Sequence, residues 1–306
     1  MEHPQAEKTL VVIVGPTGSG KTDLAIEVAR HFGTEILSTD SRQFYKGMPI
    51  GTAQPSAEQL ATVRHHFIAD RLPEQELSAG GYEREALERL GELFEHHDVV
   101  VTVGGSGLYI DALCYGFDKL PSDTAHIRAE LMQRLDSEGL DTLVEELRSR
   151  DEAYWQVVDR CNPARVIRAL EVCIASGRPY SEQRTAIRRS RPFRTVKIGL
   201  TWPREELYDR INRRVDIMVG EGLEEEARSV SHLRHLSSLQ TVGYREFFDL
   251  FDGKITRQEA IDLVKRNSRR YAKRQMTWFR RDESIHWIDR CNAQEAIEVV
   301  EGALSE

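Results

Sequence analysis

The sequence predicts an α/β fold in which a parallel sheet forms the core and an all-helical domain is inserted into it. In the first third of the chain, short apolar runs rich in Val and Ile alternate with helix-length amphipathic segments. This alternation is typical of parallel strands joined by crossover helices. Strand patterns then disappear and return only at residues 196–202. We therefore predict a core domain, residues 1–117 and 195–306, and a helical insertion, residues 118–194.

The first predicted strand, residues 10–14, leads through a glycine-rich turn into a helix over residues 22–32. The turn reads GPTGSGKT and fits the phosphate-loop pattern GxxxxGK[ST]. Its glycines can direct successive N–H groups into one concavity, and the helix N-terminus adds unpaired N–H groups. Lys21 supplies a positive charge, and Thr22 supplies a hydroxyl suited to Mg²⁺. These features predict a P-loop NTPase-like core that binds a polyphosphate. The predicted binding residues are Gly15, Pro16, Thr17, Gly18, Ser19, Gly20, Lys21 and Thr22.

Two more strands are predicted for residues 35–39 and 99–103, with helices over 56–65 and 82–96 between them. Ligands of parallel sheets bind beyond the carboxyl ends of the strands. The stretch TDSRQ follows the second strand, and GGSGLY (104–109) follows the third. We expect both to meet the phosphate loop in one crevice. Because the third strand ends in two glycines, it lacks the metal-binding Asp that many P-loop kinases carry there.

The remainder of the chain is mostly helical. Helical patterns dominate the insertion, and after residue 195 a strand, several helices, a second strand and a terminal helix follow. The predicted helices cover residues 124–136, 140–149, 162–176, 204–219, 222–235, 243–252 and 256–279, and the predicted strands cover 196–202 and 285–288.

The composition predicts a soluble cytoplasmic protein. Of 306 residues, 40% are hydrophobic and 30% charged, and no apolar run approaches the ~20 residues that span a bilayer. Residues 1–8 are polar and lack the apolar middle of a signal peptide. The four cysteines form no CxxC pair, which argues against a zinc site and fits a reducing compartment.

The charges are segregated, although the net charge of −8 argues against a nucleic-acid partner. Residues 265–281 hold many Lys and Arg residues, no acidic residue, and three interleaved aromatics, and a second basic cluster spans residues 184–197. One basic run is often a solvated helix face. Two clusters, one with aromatics, favour an anionic polymer such as RNA. Trp278 and Phe279 fit base stacking and core packing equally well.

Seven motifs occur in a fixed order: GPTGSGKT, TDSRQFYKGMPIGTAQPS (39–56), GGSGLY, LPSD (120–123), RVIRALEV (165–172), TVGYRE (241–246) and RRYAKRQMTWFRR (269–281). Together they resemble the tRNA dimethylallyltransferase family, from about Lys8 to Asp289. Many families share the phosphate loop, whereas the combination is close to diagnostic. No Cys- or His-based extension follows Asp289, so the resemblance is to the bacterial form.

This resemblance implies transfer of a dimethylallyl group from dimethylallyl diphosphate to N6 of the adenosine 3′ of the anticodon, with Mg²⁺ at Thr22. The phosphate loop then holds a diphosphate that leaves, stabilised by Lys21 and Thr22. The partners implied are dimethylallyl diphosphate and the anticodon stem-loop of tRNA, with no membrane, and we expect a monomer. A P-loop small-molecule kinase and an RNA-stimulated ATPase remain the alternatives.

The family's general base falls on Asp40. An exocyclic adenine amine is a poor nucleophile, so a base that accepts its proton accelerates attack. A structural cap or a Mg²⁺ ligand is the alternative for Asp40. A diphosphate clamp falls on Arg214, and Arg210 and Arg213 remain alternatives.

The family's tRNA contacts fall mainly on polar and basic positions. Among them, Val166 and Ile167 fit core positions better, whereas Arg165 and Arg168 suit phosphate or base-edge contacts. Two departures from the family are Gln54, where Lys is usual, and Ser106, where Thr is commoner. The implied contacts are Asp40, Ser41, Arg42, Gln43, Ser106, Arg128, Ala164, Arg165, Val166, Ile167, Arg168, Gln240, Thr241, Gly243, Tyr244, Arg245, Lys273, Arg274, Gln275 and Arg280.

Overall fold

The computed structural model describes residues 7–118, 120–121, 124–185 and 188–305. Ser122 and Asp123 of the LPSD motif lie outside these residues. The chain separates into two compact units, Met1–Tyr115 with Ser190–Glu306 and Gly116–Arg189. The sequence placed the corresponding boundaries at residues 118 and 194.

The first unit contains a parallel sheet. Its strand order is β3-β2-β4-β1-β5-β6, so β1 lies between β4 and β5. Val14, the last residue of β1, is in register with Gly104 and Gly199. The phosphate loop therefore leaves the middle of the sheet. Within the described residues the strands are β1 (Thr9–Val14), β2 (Ile36–Ser38), β3 (His65–His66), β4 (Val99–Gly104), β5 (Arg194–Thr201) and β6 (Ile285–Asp289).

Helices cover the sheet and form the second unit. None of the helices described is long and apolar enough to cross a membrane. The first unit contains α1 (Lys21–Phe32), α2 (Ala57–Thr62), α3 (Ala79–Phe94), α4 (Gly107–Tyr115), α10 (Arg204–Gly220), α11 (Leu223–Ser229), α12 (Arg245–Phe251), α13 (Arg257–Phe279) and α14 (Ala293–Ser305). The second unit contains α5 (Ala125–Glu138), α6 (Leu140–Arg150), α7 (Glu152–Val157), α8 (Pro163–Ser176) and α9 (Tyr180–Gln183).

Strand β1 is buried on both faces, which explains its uninterrupted apolar sequence. Val11 and Ile13 share an apolar cluster with residues of α1 and α14. Leu10 and Val12 point the other way, into a cluster with residues of α3, α12 and α13. The alternation is the two-residue period of a strand, and it holds the start of the phosphate loop on a rigid support.

The strands and most helices confirm the sequence predictions, and the differences are local. Helices α4, α7 and α9 cover residues for which no helix was predicted. The helix predicted over 222–235 ends at Ser229, because the hydroxyls of Ser229 and Ser231 bond to the carbonyls of Glu226 and Arg228 and compete with the helical pattern. The end of the helix predicted over 56–65 is replaced by the short strand β3.

Candidate active site

The phosphate loop, residues 15–22, joins β1 to α1. Gly18 and Gly20 have φ angles of 80° and 90°, in the left-handed region that favours glycine. Gly20 is the N-cap of α1 and no side chain caps this end, so the N–H groups of the first turn are available to an anion. Trp202 supports the loop from outside by donating its indole N–H to the carbonyl of Ser19 at 3.0 Å.

Lys21 lies in a charged and largely desolvated environment. Its Nζ donates to the carbonyl of Pro16 at 2.8 Å. Burial lowers the pKa of Lys21 to about 8, with nearby Asp40 opposing the change and Arg214 adding to it. The site thus brings a lysine, an arginine and a carboxylate close enough to influence one another.

A cavity of about 1250 Å³ lies beyond the carboxyl ends of β1, β2 and β4, within the first unit. This confirms the expectation that the segments after these strands converge. Helices α10 and α13 supply further walls. The predicted site residues that line the cavity are Thr17, Gly18, Gly20, Lys21, Thr22, Asp40, Ser41, Arg42, Gln43, Ser106, Arg214, Gln240, Thr241, Gly243, Arg245, Arg274 and Gln275.

Asp40 is held at the end of β2 by a buried hydrogen-bond network. The hydroxyl of Thr39 bonds with that of Tyr82 at 3.0 Å, and Tyr82 donates to the carbonyl of Ser38 at 2.9 Å. Oδ1 of Asp40 accepts the N–H of Arg42 at 3.1 Å, which is the capping role that the sequence left open. Among the described residues no hydrogen bond reaches Oδ2, so this oxygen remains able to accept a proton.

The three arginines of α10 differ in what their side chains contact. Arg210 donates to the carbonyl of Gly18 at 2.8 Å and stacks on Trp202, with 4.3 Å from its guanidinium carbon to the ring centroid. Arg213 is exposed. Arg214 donates to Oγ1 of Thr17 at 3.4 Å. Burial lowers the pKa of Arg214, and Asp40 opposes this. Arg214 is therefore the arginine that interacts electrostatically with both Lys21 and Asp40.

Tyr271 is a cavity residue that the sequence noted only as an aromatic within a basic run. Burial raises its pKa to about 12, and the negative charge of Asp40 adds to this. The phenol therefore stays protonated at neutral pH. Ser106 lies nearby and accepts the N–H of Ser41 at 2.9 Å, so a hydroxyl at position 106 ties the end of β4 to the segment after β2.

The two aromatics left open by the sequence are both structural anchors of α13. Phe279 is buried in the core. Trp278 is partly buried against that core and donates its indole N–H to Asp111 at 3.0 Å. A side chain at Gly107 would overlap the Trp278 ring, so glycine permits this packing.

Five predicted tRNA contacts have buried side chains, and the sequence had already favoured the core for two of them, Val166 and Ile167. The five are Ser106, Val166, Ile167, Tyr244 and Gln275. Val166 and Ile167 lie in the core of the helical unit. Tyr244 donates its hydroxyl to Glu226 at 2.6 Å, and Gln275 bonds internally to the phosphate loop and to Gly105. Each was placed by a motif that does not distinguish a surface position from an interior one.

The basic and polar positions remain accessible. In the helical unit, Glu171 is buried and accepts hydrogen bonds from Arg128 at 3.3 Å and Arg168 at 2.8 Å, while both arginines stay partly exposed. Ala164 and Arg165 are exposed at the start of α8. In the first unit the exposed predicted contacts are Gln240, Arg245, Lys273, Arg274 and Arg280.

Gln54, which stands where the resembling family usually has Lys, has a structural role. Its amide donates to the carbonyls of Gln43 at 3.1 Å and Tyr45 at 2.8 Å. The amide of Gln43 in turn donates to the carbonyl of Ala53 at 2.7 Å. The two glutamines hold the cavity-lining residues 51–55 against the segment after β2.

The side chains near the loop fit a magnesium ion whose other ligands are phosphate oxygens and water. Thr22 lines the cavity, and its hydroxyl makes no hydrogen bond within the part of the chain described. That same part contains no cluster of three or more His, Cys, Asp or Glu side chains that could hold a metal alone. A hard cation bound through one hydroxyl, phosphate oxygens and water needs no such cluster.

A family model described as IPP transferase matches residues 43–282. The chain is 51% identical over 280 residues to tRNA dimethylallyltransferase 1 of Phocaeicola vulgatus, covering 92% of this chain and 93% of the relative. It is also similar to the solved tRNA isopentenylpyrophosphate transferase of Bacillus halodurans, with 38% identity, a TM-score of 0.71, and 98% and 97% of the two chains covered. A eukaryotic dimethylallyltransferase structure shares the fold at 24% identity, with a TM-score of 0.81, and 97% and 80% of the two chains covered.

Proposed function

Because the chain belongs to the IPP transferase family, we propose that it transfers a dimethylallyl group from dimethylallyl diphosphate to N6 of the adenosine 3′ of the anticodon in tRNA. The observation that carries this proposal is the shared cavity. The phosphate loop and Asp40, a leaving-group site and a candidate base, line the same space. A prenyl transfer to an amine needs both at once.

The diphosphate binds the phosphate loop through the N–H groups at the start of α1. Lys21 is folded against the carbonyl of Pro16 at 2.8 Å, within the same loop, and can turn to a phosphate oxygen. Arg214 reaches the loop at Thr17 and supplies a second positive charge. These groups favour negative charge that grows on the leaving oxygen as its bond to carbon breaks.

Asp40 accepts the proton of the attacking amine. The N6 lone pair forms the new bond to C1 of the allyl group while the C1–O bond breaks and its electrons leave with the diphosphate. The N6 proton passes to Oδ2 of Asp40, the oxygen not engaged in capping the turn. Tyr271 lies beside Asp40 as a neutral hydroxyl that borders the space for the adenine.

We assign Mg²⁺ to Thr22 and to oxygens of the diphosphate. A bound Mg²⁺ would neutralise negative charge on the diphosphate. Thr22 would be its protein ligand, because this residue lines the cavity.

The tRNA binds through exposed basic side chains. Helix α13 presents Arg270, Lys273 and Arg274, of which Arg270 and Arg274 also line the cavity. In the helical unit, Arg128 and Arg165 are exposed and Arg168 is partly exposed, which suits phosphate contacts. An acidic net charge is compatible with RNA binding because these cations are concentrated on particular helices. We further propose that the enzyme acts as a monomer in the cytoplasm.

The test is an incubation with labelled dimethylallyl diphosphate, ATP labelled in its γ-phosphate, and unmodified tRNA. The expected result is prenyl label in tRNA and no transfer or release of the phosphate label. Phosphate transfer to an acceptor would indicate a kinase, and ATP hydrolysis stimulated by tRNA without prenylation would indicate an ATPase. Either result would overturn the proposal.

A further inference from the structure

Gln275 occupies an unusual position on the basic helix α13. Its neighbours Lys273 and Arg274 are exposed, whereas Gln275 is 5% exposed. Its Oε1 accepts the N–H of Thr17 at 2.8 Å, and its Nε2 donates to the carbonyl of Gly105 at 2.9 Å. One side chain thus joins the phosphate loop to the segment that follows β4.

The two partners fix the orientation of the carboxamide. Thr17 offers an N–H and Gly105 offers a carbonyl, so only one assignment of the amide oxygen and nitrogen satisfies both. A methyl group at position 105 would overlap the Gln275 amide, which explains why glycine stands there. The site requires a side chain that donates and accepts at once, and neither Leu nor ionised Glu meets that requirement.

Gln275 also determines which parts of the loop face the substrate. Pro16 has no N–H, and the N–H of Thr17 is engaged by Gln275. The hydroxyl of the same residue, Thr17, accepts a hydrogen bond from Arg214 at 3.4 Å. Ser19 donates its N–H to the carbonyl of Pro16 at 3.3 Å, so the N–H groups that remain for a phosphate after Thr17 are those of Gly18, Gly20 and the first turn of α1.

We propose that Gln275 is a positioning residue for the diphosphate subsite, and that it acts through Thr17 and Arg214 without contacting tRNA. The inference rests on the proposed function, since it concerns the subsite of the leaving diphosphate. It replaces the assignment of Gln275 to the tRNA surface, because both polar groups of its side chain are used inside the protein.

Two substitutions test the inference. Gln275→Leu removes both hydrogen bonds, and Gln275→Glu keeps the size and the acceptor but removes the donor and adds negative charge. The matched control is Gln258→Leu, at the exposed start of the same helix, where the amide donates to Asp262 at 3.3 Å. Binding of inorganic diphosphate with Mg²⁺ is measured by calorimetry, and binding of tRNA is measured separately.

We expect both Gln275 variants to bind inorganic diphosphate about tenfold more weakly, while tRNA affinity stays within twofold and Gln258→Leu matches the wild type. In steady state, KM for dimethylallyl diphosphate rises about tenfold and kcat falls by less than threefold. If Gln275→Leu does not fold, the isosteric Gln275→Glu decides. Weakened tRNA binding with unchanged diphosphate binding would overturn the inference, as would wild-type affinity for both.

The outcome is separable from that of the proposed function. Diphosphate binding is measured without tRNA and without turnover. If the wild type failed to prenylate tRNA but still lost diphosphate affinity on substitution of Gln275, only the proposed function would fail. If prenylation occurred and Gln275 variants bound diphosphate normally, only the inference would fail.

Discussion

Replacing Arg214 by Ala is expected to reduce kcat/KM for dimethylallyl diphosphate about 30- to 150-fold. Arg214 lies beside the phosphate loop, 3.4 Å from Oγ1 of Thr17, and burial lowers its pKa, which shows that its charge is partly desolvated. Opposite unit charges at about 4 Å attract by about 4 kcal/mol at an effective dielectric constant of about 20. Water and salt at this partly exposed site reduce the value to about 2–3 kcal/mol, and each 1.36 kcal/mol is tenfold in rate.

The assay is steady-state prenyl transfer at saturating tRNA with varied dimethylallyl diphosphate. Arg213→Ala is the matched control, because Arg213 is the exposed neighbour on the same helix. Within the described residues its guanidinium bonds only to the carbonyl of Asp209, at 3.4 Å. We expect the control to change kcat/KM less than threefold. A larger loss for Arg213→Ala than for Arg214→Ala would refute the assignment of the clamp.

Three further perturbations have defined outcomes. Asp40→Asn should keep tRNA affinity within twofold and reduce the single-turnover rate constant of prenyl transfer about 10²- to 10⁴-fold. An undiminished rate constant would remove Asp40 as the base. Replacing Arg270 and Arg274 together by Ala should weaken tRNA binding and lower the slope of log K against log salt by about 2, and an unchanged slope would identify a solvated helix face. Asp282→Asn should lower the free energy of unfolding by about 2–4 kcal/mol at pH 7, since Asp282 pairs with buried Lys197 at 2.5 Å. Although burial opposes it, hydrogen bonding to Lys197 holds the pKa of Asp282 well below its usual range in the folded protein. Below about pH 4 the unfolded chain therefore takes up a proton at Asp282 while the folded protein does not, and the difference in stability should shrink in denaturant titrations as the pH falls. A difference independent of pH would contradict that account.

The phosphate loop and the sheet were predictable from sequence because they rest on local patterns. The β1 strand is buried on both faces and reads as an apolar run, and GPTGSGKT needs its glycines for backbone conformation. The sequence also predicted that Asp40 and the GGSGLY segment lie close to the phosphate loop, because the carboxyl ends of parallel strands meet at one edge of the sheet.

Helix α4 was missed because its first turn reads as a loop. Gly105 and Gly107 suggest a turn, but they are glycines because Gln275 and Trp278 pack directly against them. That requirement comes from α13, which follows far along the chain. A local pattern cannot reveal it.

Burial was the other quantity that the sequence left undetermined. Tyr244 and Gln275 sit in motifs shared with the family, and their polar groups bond inside the protein. Glu226 belongs to an acidic stretch and reads as a surface charge. Its carboxylate accepts the N–H groups of Ile50 at 2.8 Å and Gly51 at 2.7 Å, and so fixes residues at the rim of the cavity. Such roles depend on tertiary partners.

The proposed function requires one cavity to hold both a leaving diphosphate and an attacking adenine amine. The most direct measurement is a single-turnover reaction with allyl-labelled dimethylallyl diphosphate and a tRNA carrying adenosine or guanosine 3′ of the anticodon. With adenosine, we expect one diphosphate to be released for each label found on N6. With guanosine, we expect neither diphosphate release nor labelled tRNA. Label at another position, or diphosphate release without transfer, would contradict the proposed function.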